Sequence, residues 1–180
     1  MLNFQTLVYT LLLFPVLLSG QETNAIRAEE MKTLAGVYSG ELMYRDYTSD
    51  KNVSMPLVAN CHLAKNRLVL DFILNEWGKT YNQQYDFRFD GAVVRASGQW
   101  AIVEKNFDTG KGTFRFVMTK NGRDGNENKP CLFRITFDAD PEHIVVSKEV
   151  RFDGTDMFIL RNEYRLDRVK ARQEGGKVSN

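Results

Sequence analysis

Between Leu34 and Leu166 apolar and polar residues alternate with a period of two, and turn residues break the pattern at intervals. Neighbouring side chains of a β-strand point to opposite faces, so this pattern predicts half-buried strands. The first runs from Leu34 to Asp46, and Asp50, Lys51 and Asn52 turn the chain. The second puts Val53, Met55, Leu57, Ala59, Cys61 and Leu63 on one face. Pro56 falls on the other, where a proline fits an edge, a bulge or a bend. Leu68, Leu70, Phe72 and Leu74 form the apolar face of the third strand, and Trp77-Gly78 turns again. The fourth aligns Tyr81, Gln83, Tyr85, Phe87 and Phe89, and Asp90-Gly91 is a hairpin signal. Ala92 to Lys105 reads as a fifth strand with a bulge at Ser97-Gly98. Phe114, Phe116 and Met118 mark the sixth, and Lys120 to Pro130 reads as the one long irregular segment. Cys131, Phe133, Ile135 and Phe137 mark the seventh. The eighth and ninth form a hairpin from Ile144 to Leu166, turning around Asp153-Gly154-Thr155.

Strands joined by short turns, with no helix between them, predict an all-β antiparallel meander. A meander of about eight to ten strands removes its edges by closing into a single up-and-down barrel. Such a barrel is either filled by side chains or holds one small ligand. A lipid-spanning barrel alternates too. Here the second face carries acids and bases together, and the turns do not alternate short and long, which favours a barrel in water.

The closing hairpin breaks its own pattern. Its apolar face reads Ile144, Val146, Lys148, Val150, Phe152, then Phe158, Leu160, Asn162, Tyr164, Leu166. If Phe152 faces Phe158, Lys148 faces Asn162 on the inside and Glu149 faces Arg161 on the outside. A buried lysine is costly unless it is paired. One reading makes Lys148, with Asn162, Gln83 and Tyr164, the handle for an anionic head group in an otherwise apolar cavity. The other has Lys148 snorkelling near a rim or bonded structurally to Asn162 and a carboxylate.

Leu7 to Leu18 is an apolar run containing Pro15, followed by Ser19 and Gly20. It fits the core of a secretory leader, although no Lys or Arg precedes it. A membrane span needs about 20 apolar residues, more than this run has. The expected organisation is a leader over 1–20 and a polar segment over 21–33 with a short helix around Ala28 to Met31. A barrel over 34–167 and a disordered tail over 168–180 follow. The expected location is periplasmic or secreted, with no stable membrane span once the leader is removed.

Lys and Arg number 24 against 23 Asp and Glu, so the chain lacks the basic excess of a nucleic-acid binder. Cys61 and Cys131 both fall on inward parity. By strand count they lie at one rim, which leaves open a disulfide or two buried thiols. His62 lies on outward parity and His143 follows a turn, which favours neither a metal nor a haem site. No cofactor is implied.

Leu34-Ala35-Gly36-Val37-Tyr38-Ser39-Gly40 follows the predicted short helix. It resembles the lipocalin opening of Gly, any residue, then Trp, with Tyr38 in place of Trp. The resemblance implies an arginine of the last strand packed over that aromatic, which by position is Arg161 or Arg165. Gly122 to Asn126, Lys148 to Arg151 and Arg161 to Arg165 look like segments of exported bacterial proteins of this lipocalin-like, or calycin, type. The resemblance implies a small hydrophobic or amphipathic ligand and no catalytic residues. The alternative is a filled barrel without ligand, acting as an envelope-associated interaction module. An enzyme is disfavoured, because parity assembles no Ser-His-Asp set, carboxylate pair or metal cluster.

Overall fold

The computed structural model describes residues 24–170 except 47, 50 and 77. The expected leader, the turn residues Asp50 and Trp77 and most of the expected tail lie outside the described residues. A 3₁₀ helix over Ala28–Leu34 precedes ten strands. They are β1 (Gly36–Arg45), β2 (Asn52–Leu63), β3 (Arg67–Glu76), β4 (Lys79–Asp90), β5 (Val93–Arg95), β6 (Gln99–Asp108), β7 (Thr113–Asp124), β8 (Lys129–Ala139), β9 (His143–Phe152) and β10 (Ile159–Arg168). Each pairs with its sequence neighbour, and β1 pairs antiparallel with β10, so the fold is a closed up-and-down barrel. Its interior is apolar and its outer face carries cross-strand ion pairs, the inverse of a lipid-facing barrel.

Three local expectations give way. The expected fifth strand is two, β5 and β6. Ser97 (φ 46°) and Gly98 (φ 114°) are both left-handed and form a hairpin turn rather than a bulge. Trp100 Nε1 donates to the Ala96 carbonyl at 2.6 Å across that turn. Second, Lys120 to Pro130 is not irregular. β7 runs to Asp124, β8 starts at Lys129, and Gly125 (φ 77°) and Asn128 (φ 51°) bend the tight turn between them. Third, the closing hairpin has a longer loop and a bulge. Ile159 pairs with Val150, and the register shifts at Arg161 before Asn162 pairs with Lys148.

These changes have consequences. The extra hairpin makes Cys131 the start of the eighth strand, at the rim opposite Cys61, so the two do not share a rim; both are free and buried. The bulge breaks the expected Glu149–Arg161 pair. Glu149 instead accepts from Arg134 at 2.7 Å, and Arg161 reaches Asp124 at 2.9 Å with both side chains only 12% exposed.

The helix closes one rim. Ile26, Ala28, Met31 and Leu34 are buried against the barrel. Arg168, expected in the tail, ends β10 and reaches over this plug. Its guanidinium donates to the carbonyls of Ala35 (2.9 Å) and Thr33 (2.7 Å), to the Tyr38 hydroxyl (2.6 Å) and to Pro141, and lies 4.8 Å from the Tyr38 ring centre. The aromatic–arginine contact is thus made by Arg168. Arg161 and Arg165 do not make it, and Arg165 pairs with Glu163. Burial pushes the Tyr38 hydroxyl up to about 12, against the opposing pull of Arg168. Above the plug Phe116 and Phe137 stack at 4.9 Å, with Phe87 edge-on to both. Such aromatic pairs add about 0.5–1.5 kcal/mol beyond the area they bury.

Candidate ligand-binding cleft

Away from the helix the barrel wall splits. β4 pairs with β3 from Lys79 to Arg88, but with β5 only from Arg88 to Asp90. β7 pairs with β6 only as far as Thr119, and Lys120 to Asp124 pair with β8 alone. The start of β4 and the end of β7 therefore face a gap, with the short β5–β6 hairpin beside it. Burial follows the split. Phe87 and Phe89 are buried, whereas Tyr81 and Gln83 on the same parity are exposed.

A cleft of about 470 Å³ occupies this gap. Small-molecule sites typically enclose about 300–1,000 Å³. One wall is the β4 edge from Gln83 to Phe87, and the Ala96–Ser97 turn forms its lip. Trp100, Phe133 and Ile135 supply apolar surface, and Lys120, Lys148 and Asn162 supply polar groups. Gly122 makes room for this arrangement: a Cβ there would collide with the Phe133 ring.

Lys148 Nζ lies 4.6 Å from the centre of the Phe133 ring. Lys120 Nζ lies 6.0 Å from the same ring and 4.6 Å from that of Trp100, and donates to the Ser97 carbonyl at 3.0 Å. Two ammonium groups thus flank one aromatic. Burial lowers the Lys148 pKa, Asp124 raises it and Lys120 lowers it further. Among the described residues Lys148 forms no ion pair. Beside it, Asn162 Oδ1 is buried without a hydrogen-bond partner. A buried acceptor left unmet costs about 1–3 kcal/mol, so this atom favours an occupant with a donor.

Of the four residues singled out from the sequence, Gln83, Lys148 and Asn162 line the cleft together. Tyr164 lies beneath it. Its hydroxyl donates to Gln83 Oε1 at 3.0 Å, and its ring stacks on Phe72 at 4.5 Å. Burial raises the pKa of Tyr164 and of neighbouring Tyr85. Lys120 and Trp100 were not anticipated. Lys120 continues the inward parity of Phe114, Phe116 and Met118, but as a lysine followed by Asn121-Gly122 it reads as a turn in the sequence. Trp100 and Ile102 carry the same parity on β6.

Other reactive groups are placed elsewhere. Burial pushes the Cys61 thiol up to about 12 and raises that of Cys131, the opposite of what a nucleophilic thiolate needs. His62 lies 3.4 Å from Asp71, His143 lies 3.1 Å from Asp140, and neither lines the cleft. Among the described residues no three His, Cys, Asp or Glu side chains are grouped to hold a metal.

No family model and no curated protein matches the sequence. Among solved structures, the chain is similar to that titled "Crystal Structure of Rv2717c from M. tuberculosis" at 12% identity and a TM-score of 0.53. The match covers 79% of this chain and 96% of that one. At this identity the likeness supports the closed antiparallel barrel as a fold.

Proposed function

We propose that the protein is an exported, non-catalytic, lipocalin-like binding protein that takes a small amphipathic anion into the lateral cleft. The observation that carries this reading is the half-buried Lys148 ammonium, which forms no ion pair among the described residues, next to the unmet Asn162 oxygen. Few polar groups set in apolar surface is the usual plan of a small-molecule site. Trp100, Phe133 and Ile135 receive the apolar part, and Lys148 and Lys120 attract the head. The Arg168–Tyr38 contact supports the lipocalin-like element, and the Leu7 to Leu18 run supports export.

Titration with a fluorescent anilinonaphthalene sulfonate, and its displacement by decanoate, tests the reading. Saturable binding should weaken about 10- to 100-fold in Lys148→Met, the worth of a charged hydrogen bond. Unchanged affinity in a folded Lys148→Met variant overturns it. Native mass spectrometry of protein from its own source should reveal a co-purifying small molecule.

A further inference from the structure

The wall of the cleft is itself a hydrogen-bonding surface. In an antiparallel ladder, alternate residues turn their backbone N–H and C=O groups to opposite neighbours. The Phe89 N–H donates to the Asn66 carbonyl on the β3 side at 3.0 Å. By the same alternation Phe87, Tyr85 and Gln83 bond towards β3, and Asn82, Gln84 and Asp86 turn their backbone groups to the gap. No strand of the described residues pairs with them there. Their outer-face partners leave that edge open. Gln84 donates to Asp71 at 2.6 Å and Arg67 to Asp86 at 2.8 Å, drawing both side chains towards β3.

An edge of this kind repeats its donor and acceptor pairs at about 6.8 Å, the spacing of alternate residues in a strand. An alkyl chain has nothing to match it, and an extended polypeptide does. The two ammonium groups lie past this edge, and the Arg161–Asp124 pair crosses from β10 to β7 on the rim side of both. A chain entering through the gap brings its end to these two ammonium groups, whose charge suits a carboxylate. Resting on the reading of this cleft as an anion-binding site, we infer that its occupant is the C-terminal end of an extended peptide. The peptide adds a strand to Asn82–Asp86. Its terminal carboxylate meets Lys148 and Lys120, its last side chain lies on Phe133 and Trp100, and a peptide N–H meets Asn162 Oδ1.

The test uses two labelled random hexapeptide libraries, one with free C-terminal carboxylates and one amidated, with decanoate as a third probe. Fluorescence polarisation should show binding from the free-acid library, at least about tenfold weaker binding when amidated, and loss of that difference in Lys148→Met. Hydrogen exchange should show the bound peptide protecting the amides of Asn82, Gln84 and Asp86. Equal binding of both libraries, or binding without that protection, overturns the inference. Decanoate binding in the cleft with no library binding overturns it and leaves the small-anion reading standing. If neither decanoate nor peptide binds, both fall.

Discussion

The two ends of this barrel are made of the same alternating strands and are finished in opposite ways. At the helix end the inward positions are mostly apolar, and the inward Lys105 is met by Glu30 and the Ala25 carbonyl. Met31 and Leu34 fill the rim, Phe116 and Phe137 stack behind them, and Arg168 ties helix, β1 and the loop at Pro141 together. At the other end the ring of strands is incomplete between β4 and β7. Inward positions there carry Lys120, Lys148 and Asn162, with the Arg161–Asp124 pair across the rim. One end shows how such a barrel stabilises itself. The other shows what stability was left aside to keep a cleft with polar groups unmet.

Core truncations should divide the two ends most sharply. Phe116→Ala removes a fully buried ring from the stacked cluster and should cost about 3–5 kcal/mol in urea unfolding. Phe133→Ala, whose ring borders the cleft, should cost less than half as much; equal losses would show that the cleft end is packed as tightly. Next in size is Arg168→Ala, which leaves the Thr33 and Ala35 carbonyls and the Tyr38 hydroxyl without their donor. A loss of about 2–3 kcal/mol is expected, with faster amide exchange over the helix and unchanged exchange in β4.

Lys148→Met should have the opposite sign. Replacing a half-buried ammonium that makes no ion pair among the described residues with an apolar side chain of similar length should stabilise the fold by about 1 kcal/mol at neutral pH. The advantage should shrink as pH rises. With the folded pKa of Lys148 lowered and the unfolded value at the ordinary 10.5, the unfolded chain holds the extra proton between those two values. Wild-type stability therefore gains with pH across that window. Tyr38, raised from 10.0 to about 12, acts in the opposite sense over its own interval, so the difference between wild type and variant is what should be followed. Destabilisation by Lys148→Met would make this lysine a structural member like Arg168. The smallest effect expected is at the lip of the cleft. Ser97→Gly relieves a left-handed serine and should add up to about 1 kcal/mol to the melting free energy, without altering exchange at the helix.

Much of the closed end was legible in the sequence. The inward faces of β2, β3, β8 and β9 are those the alternation marks, because the side chain's direction follows from the backbone of its own strand. The Lys148–Asn162 pair was legible by a less direct route. The assumed Phe152–Phe158 pairing does not form, and the bulge at Arg161 restores the same register two residues later, whereas Glu149–Arg161 did not survive it. At Ser97-Gly98 the same residue types serve a bulge or a turn, and only the turn adds the strand that places Cys131 at the rim opposite Cys61. Arg168 is not legible in the sequence because the polar chain end around it carries no alternation.

The sequence by itself determined which side chains look inward, and so that a lysine and an asparagine meet inside an apolar barrel. That information is local, since each residue's facing depends only on its neighbours in the chain. Only the tertiary structure decided how far each strand stays paired. Pairing length depends on how ten strands of unequal length close one ring, and a property of the whole ring is written in no single strand. The shortness of β5 leaves β4 with no strand on its gap-facing edge over Asn82 to Asp86 among the described residues, and that is where the cleft opens.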